Sequence, residues 1–503
     1  MITDPSPLPQ PLPGPPPYLP RAARPASSLA LALGVSAALA SHCAAAQTTA
    51  APPTVEELAR RLQALEQRYG TGDAASAPTT PAADANRALD QRLRILERRL
   101  ELADAAAAAK AASTPTVTAS PQQGLSVKSP AGDAEVKLRT LVQLDGRFFT
   151  GDDAVPQNDG FLLRRVRPTL EGTLGTWLGF RLTPEFAGDS ATLLDAYIDL
   201  KFDPRATLRL GKFTAPVGLE RLQSASSNAL QELGLPTELV PNREIGVQLQ
   251  GEFAGSTLNY AIGIYNGTVD GRDAVTSNPD DDLEVAARVF VEPWKNSGGA
   301  LAGLGFGIAG TQGDKHGVGN NYLPRYRTPG QVQFFNYRTA IAADGAQTRW
   351  SPQAWYYRNT LGLLAEYVSS EQEVLNPASG ARAALDNRAW QVVGSVVLTG
   401  EDASYRGVIA PNHPFTPGAA GWGAFEVAAR YGTLDIDDAA FPLFADPNAV
   451  ASSARSWGVG LNWYLTANFK LVANYTQTRF EDGISGGDRE DEKALFTRAQ
   501  FSF

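Results

Sequence analysis

The sequence predicts an all-β protein: a sixteen-stranded antiparallel transmembrane β-barrel preceded by a short N-terminal coiled-coil segment. Three observations predict it. Period-two alternation of apolar and polar residues recurs from about residue 135 to the end of the chain, with no helical period between. The connections between these segments alternate short and long, as on the two sides of a barrel. The polar faces carry charges that hydrocarbon would exclude, whereas the opposite faces are greasy.

Residues 1–46 read as a secretory signal with a Pro-rich extension. Arg21 and Arg24 precede an apolar run from Leu29 to Ala40, and Ala44-Ala45-Ala46 offers an A-x-A cleavage site. A lipoprotein box at Cys43 is the rival reading, but His42 stands where a small residue is needed. As the only cysteine, Cys43 excludes a disulfide framework or a thiolate metal site. Residues 47–104 form the predicted periplasmic coiled-coil segment. Val55, Leu58, Leu62, Leu65 and Tyr69 step by three and four, and Leu89, Leu93, Leu96, Leu100 and Ala103 do the same. A seam of about two heptads is marginal alone, so the pattern makes sense if chains are held together elsewhere too. The Ala-, Ser-, Thr- and Pro-containing stretch 105–134 reads as a flexible linker.

Residues 135–503 are the predicted barrel. The mean hydropathy of −0.20 and the lack of a long apolar run after the leader argue against helical membrane spans. They do not argue against strands, which need only about 10 residues, half of them polar. In the first strand Val136, Leu138, Thr140, Val142, Leu144 and Phe148 oppose Lys137, Arg139, Gln143, Asp145 and Arg147. In 178–187, Leu178, Phe180, Leu182 and Phe186 oppose Arg181, Thr183 and Glu185. Ala196, Ile198, Leu200 and Phe202 likewise oppose Asp195, Tyr197, Asp199 and Lys201.

The remaining candidate strands are 161–174, 206–213, 243–254, 256–266, 283–292, 300–312, 349–357, 361–370, 387–398, 421–432, 455–465, 468–480 and 493–503. The 150–160, 214–242, 267–282, 313–348, 371–386, 434–454 and 481–492 segments are the long connections. Residues 400–420 are a long connection on the short-turn side. The insertion at about 214–242 interrupts the hairpins and is predicted to narrow a pore. Trp294, Trp350, Trp422, Trp457 and Trp463 lie near predicted strand ends, where a half-wet ring suits the headgroup level.

Catalysis is not expected. A barrel hydrolase wants a strand-borne His beside a Ser, but His42 falls in the leader and His316 and His413 fall in connections. No cofactor, metal or nucleic-acid partner is expected. The net charge of −9 does not argue against an anion pathway, because much of the acid lies in loop runs such as Asp280-Asp281-Asp282 and Glu490-Asp491-Glu492.

Several ordered motifs carry a resemblance. FLLRRVRPTLEGTLGTWLGFRL, LLDAYIDLKF, LRLGKFTAPVGLERLQ, LVPNREIGVQL and YAIGIYNG, then SPQAWYYRNTLGLLAEYV and GWGAFEVAARY, resemble the phosphate-selective porin family (porins O and P) over about 135–503. The resemblance implies a sixteen-stranded outer-membrane barrel assembled as a homotrimer in outer-membrane lipid. It also implies an inward third loop, arginines along the wall and lysines at the narrowing. The matching positions include Arg165, Arg167, Arg181, Arg209, Lys212, Glu220, Arg221 and Arg243. Thr214 stands where the family often has a second lysine, and Leu233 roughly where it often has an arginine.

The expected function is therefore a water-filled channel, anion-preferring, for small anionic solutes such as phosphate or polyphosphate. Its expected pore-lining residues are Arg139, Arg147, Arg165, Arg167, Arg181, Arg209, Lys212, Arg221 and Arg243. Arg suits such a wall because it stays charged and offers a planar fork of donors. In the alternative, these arginines brace the wall by pairing with Asp145, Glu171, Glu185, Asp195 and Asp199, and the channel is general or differently selective. The coiled coil either fixes trimer register or tethers the barrel, with the cell wall as its other partner.

Overall fold

In the computed structural model, residues 81–120, 124–150 and 158–503 are described. The leader and the first predicted seam, Val55–Tyr69, lie outside them. The chain divides into two units, Met1–Arg99 and Leu100–Phe503. A helix, α1, covers Pro81–Ser113. It runs well into the stretch read as linker, because Ala105–Ala112 is almost all alanine, the strongest helix former. That stretch also holds an antiparallel hairpin, Thr116–Ser120 with Gly124–Lys128, favoured by β-branched Thr116, Val117, Thr118 and Val127. The second arm of the hairpin pairs with residues 135–138 of the first barrel strand.

Sixteen antiparallel strands close into a barrel: β1 (Ala134–Phe149), β2 (Gly160–Leu174), β3 (Leu178–Glu185), β4 (Thr192–Asp203), β5 (Ala206–Thr214), β6 (Arg243–Phe253), β7 (Leu258–Tyr265), β8 (Glu284–Val291), β9 (Leu304–Val318), β10 (Ala342–Arg358), β11 (Leu361–Asn376), β12 (Ala381–Val397), β13 (Ala424–Asp435), β14 (Ala451–Tyr464), β15 (Phe469–Ile484) and β16 (Glu492–Ser502). Each pairs with its neighbours in sequence. The ring closes where β16 pairs with β1, from Ala494↔Phe149 to Ser502↔Leu141. Closure leaves no barrel edge with unpaired backbone groups in hydrocarbon. Phe161, Ile198, Phe202, Ile264 and Ile308 stand exposed on the outer surface, where lipid rather than water is their solvent.

On the long-loop side several strands run further than the sequence reading. β9 and β10 continue to Val318 and back to Ala342, and β11 and β12 are joined by a turn at 377–380 rather than by a long loop over 371–386. An aromatic girdle explains the difference. Trp350, Tyr367, Trp390, Tyr431, Trp457 and Tyr475 occupy six successive strands, paired as Trp350–Tyr367, Trp390–Tyr431 and Trp457–Tyr475 at ring separations of 5.1, 5.6 and 5.5 Å. Aromatics at this level mark the edge of the hydrocarbon. Beyond it the strands run on among polar surroundings, so the greasy alternation fades while the hydrogen-bonded ladder continues.

Two long connections, 319–341 and 436–450, meet at the outer mouth. Residues 319–341 contain a small hairpin, Arg325–Arg327 with Gln333–Asn336. Its Tyr326, Phe334 and Phe335 pack in one buried cluster with Leu434, Ile436, Phe444 and Val450. The long connection on the opposite side, residues 398–423, also turns inward. The Tyr405 ring lies 4.4 Å from that of Trp355, and its hydroxyl donates to the Leu219 carbonyl.

Candidate functional site: a basic cavity across the barrel

The segment between β5 and β6, residues 215–242, leaves its own strands and crosses to the opposite wall. Gly218, at φ +82°, makes its first tight bend, and a Cβ there would strike Val240. Buried irregular backbone needs partners, and side chains from distant strands supply them. Lys470 Nζ and Gln500 Nε2 both donate to the Ser226 carbonyl at 3.1 Å. Asn462 Nδ2 donates to Ala229 O, Arg498 Nη1 to Gln231 O and Arg430 Nη1 to Glu232 O, each at 2.8 Å. The Glu366 carboxylate accepts from the Leu219 and Glu220 amides at 2.5 and 3.3 Å. Glu220 accepts from Arg430 at 3.2 Å.

A cavity of about 1270 Å³ remains beside this segment. It reaches from the short-turn side, at Pro204, Thr466 and Asn468, to the outer hairpin, at Arg327 and Gln331. Of the nine candidate residues, Arg139, Arg165, Arg167, Arg181, Arg209, Arg221 and Arg243 line it. Arg147 does not; it is held behind the lining by Glu232 at 3.0 Å. Lys212 does not either, and its Nζ donates to the Ala274 carbonyl at 2.9 Å.

Five of the seven lining candidates meet carboxylates. Arg139 and Arg181 share Glu171 at 3.1 and 2.7 Å. Arg167 pairs with Glu185 at 2.6 Å, and Arg243 with Asp195 at 3.3 Å. Arg209 holds Asp199 at 2.7 Å while its guanidinium lies 3.9 Å from the centre of the Tyr197 ring. Two differ. Arg165 donates to Gln143 Oε1 at 2.7 Å, and its buried Nε has no hydrogen-bond partner among the described residues. Arg221 donates to the Thr237 carbonyl at 2.6 Å and to Asn242, again with an unpartnered Nε.

Strict alternation missed Arg164, which also lines the cavity. The β1–β2 register steps from Gln143↔Arg165 to Leu144↔Leu163 and leaves Arg164 as the extra residue of a bulge. The bulge lets adjacent arginines face the same way. The signal was present in the sequence: two consecutive arginines in a lipid-exposed strand would otherwise send one into hydrocarbon. Arg288 and Lys470 were also missed and line the cavity, whereas Arg498 pairs with Asp145 at 2.7 Å in the wall.

A closed barrel with a greasy girdle outside and a wet, charged passage inside defines a class, the outer-membrane porin. Residues 136–503 match the profile described as phosphate-selective porin O and P. The chain belongs to the phosphate-selective porin O and P family, whose members are channels rather than enzymes. It is similar to Porin O of Pseudomonas aeruginosa, at 22% identity over 404 residues, 76% of this chain and 91% of that one. It is also similar to an uncharacterized protein of Caulobacter vibrioides, at 24% identity over 434 residues, 76% of this chain and 77% of the other. Among solved structures it is similar to the outer-membrane channel DcaP of Acinetobacter baumannii (13% identity, TM-score 0.45, 75% of this chain and 99% of that one). The anion-selective porin from Comamonas acidovorans is another (14% identity, TM-score 0.44, 74% and 100%).

Proposed function

We propose that the protein is an anion-preferring, water-filled channel passing small hydrophilic solutes, with phosphate or polyphosphate as the leading class. The supporting observation is the charge of the cavity wall. Thirteen lysines and arginines line it against six aspartates and glutamates, in a chain whose net charge is −9. A low-dielectric wall concentrates that field along the lumen. Of the nine candidates, Arg165 and Arg221 are the strongest for solute contact, because no carboxylate neutralises either at contact distance among the described residues. Arg139, Arg167, Arg181, Arg209 and Arg243 offer the remaining donors beside their carboxylates, a series of modest sites that lets an anion both bind and leave. Arg147 and Lys212 act as supports. The barrels assemble as homotrimers, with the N-terminal segment in the periplasm.

Reversal potential in a planar bilayer under a salt gradient tests this. A cation-selective sign would overturn the proposal. A second reading, a general porin, is favoured by the carboxylate partners of six lining arginines and by Thr214 and Leu233 in place of cations. Under that reading, added phosphate leaves chloride conductance unchanged.

A further inference from the structure

The helix α1 carries an apolar stripe that stands exposed among the described residues. Leu89, Leu93, Leu96 and Leu100 are each at least half exposed. Their spacing of four, three and four puts them at alternating d and a positions of a heptad frame, with Ala103 at the next d. The flanking charges sort by position. Asp90, Glu97 and Asp104 occupy successive e positions, and Arg92 and Arg99 occupy successive g positions. Arg92 stands five residues before Glu97, and Arg99 five before Asp104. Partners within a helix are three or four residues apart, so these pairs cannot be satisfied inside α1. Asp90 pairs instead with Arg94 at 3.0 Å, on the side of the helix away from the seam.

We infer that α1 docks against the same helix of a second copy of this chain, parallel and in register. In a parallel pair each g side chain meets the e′ side chain five residues further along the neighbour. That arrangement sets Arg92 against Glu97 and Arg99 against Asp104 on both sides of every seam. An antiparallel pair sets g against g′ and e against e′, so arginine would face arginine and acid would face acid. Charge complementarity thus selects the partner, the direction and the register together, while the leucines supply the buried surface. The proposed trimer would draw on this contact between copies, whatever the selectivity of the pore.

The test uses the full-length chain in the outer membrane with Cys43→Ser as background. A single cysteine is placed by Leu96→Cys in the seam, or by Arg98→Cys on the far side. In a parallel in-register bundle, two copies of position 96 face each other and join under mild oxidation. The expected result is a disulfide-linked dimer with Leu96→Cys and at least tenfold less with Arg98→Cys. Arg92→Glu with Arg99→Glu should suppress the crosslink. Adding Glu97→Arg and Asp104→Arg should restore it, because the swap re-pairs only the parallel arrangement. Equal crosslinking at both positions, or failure of the fourfold swap to restore it, overturns the inference. Unheated gel mobility of the barrel separates this result from the trimer reading. Trimeric barrels without the position-96 crosslink reject the helix pairing alone, and crosslinked monomeric barrels reject the trimer alone.

Discussion

The Glu232 carboxylate accepts Nε and Nη2 of Arg164 at 2.7 and 3.0 Å, joining the inward segment to the bulge of β2. Arg147 of β1 reaches the same carboxylate at 3.0 Å and Arg498 of β16 at 3.4 Å. One buried acid on the crossing segment therefore holds three guanidinium groups from three strands around the closing seam. Such fork-to-fork contacts fix geometry as well as charge.

Replacing Glu232 with Gln keeps the shape and removes the charge. Breaking a buried ion pair from one side costs about 3–5 kcal/mol, because the partner charges remain. The crossing segment should loosen, and single-channel currents should become noisier. The loss of one wall acid should also move the reversal potential further toward the anion limit. Quiet channels with unchanged selectivity would show that Glu232 is not the anchor.

Arg165 and Arg209 predict opposite outcomes for one chemical change. Arg165→Gln removes a charge that no carboxylate balances at contact distance among the described residues, so anion preference should fall with little change in thermal stability. Arg209→Gln strands the Asp199 carboxylate and loses contact with the Tyr197 ring. It should cost about 1–3 kcal/mol, the usual penalty for an abandoned polar partner. The unheated-gel transition temperature should fall for Arg209→Gln and hold for Arg165→Gln. The reverse pattern would mean that Arg165 is the brace and Arg209 the contact.

The sequence was most informative where its signal was local. Alternation is set by each residue and its immediate neighbours, so all sixteen strands could be found from it, including the pair that closes the ring. It failed at 371–376 and 381–386, outside the Trp390–Tyr431 level of the girdle, where no lipid enforces a greasy face. It also failed at Arg164, because one bulged residue shifts every later side chain to the other face. The partners of the crossing segment were illegible for a different reason. Glu232 and Arg498 are 266 residues apart, and no spacing rule links them.

Glu401 predicts a pH response of the inward-turned connection 398–423. Burial alone would raise its pKa, but the Thr399 hydroxyl and the Asn412 amide, the latter at 2.8 Å, outweigh it and hold the carboxyl below its ordinary value. A carboxylate with a depressed folded-state pKa contributes stability that is complete at neutral pH and lost as pH falls through the folded value. Hydrogen exchange at 398–423 should therefore rise on acidification below the ordinary carboxylate range, and Glu401→Gln should flatten that dependence. An exchange rate in the wild-type chain that does not respond to acid would remove Glu401 from this role.

The same connection should restrict flow from the short-turn side. Arg406, Val408 and Ile409 line the cavity. Tyr405 ties them to the crossing segment through the Leu219 carbonyl and through Gln223 Nε2, which donates to Tyr405 O at 2.9 Å. Tyr405→Ala removes both the phenol contact and the tilted ring contact with Trp355, an aromatic pairing worth about 0.5–1.5 kcal/mol beyond its buried area. The barrel wall needs neither contact, so its heat resistance should persist. The connection should swing out of the lumen and raise single-channel conductance. Replacing 402–410 with a short Gly-Ser turn should raise it further. Both variants also bear on Arg406, because withdrawing an arginine with the connection should weaken anion preference as flow increases. If conductance rises while the reversal potential stays fixed, the connection is a steric barrier and Arg406 takes no part in selection.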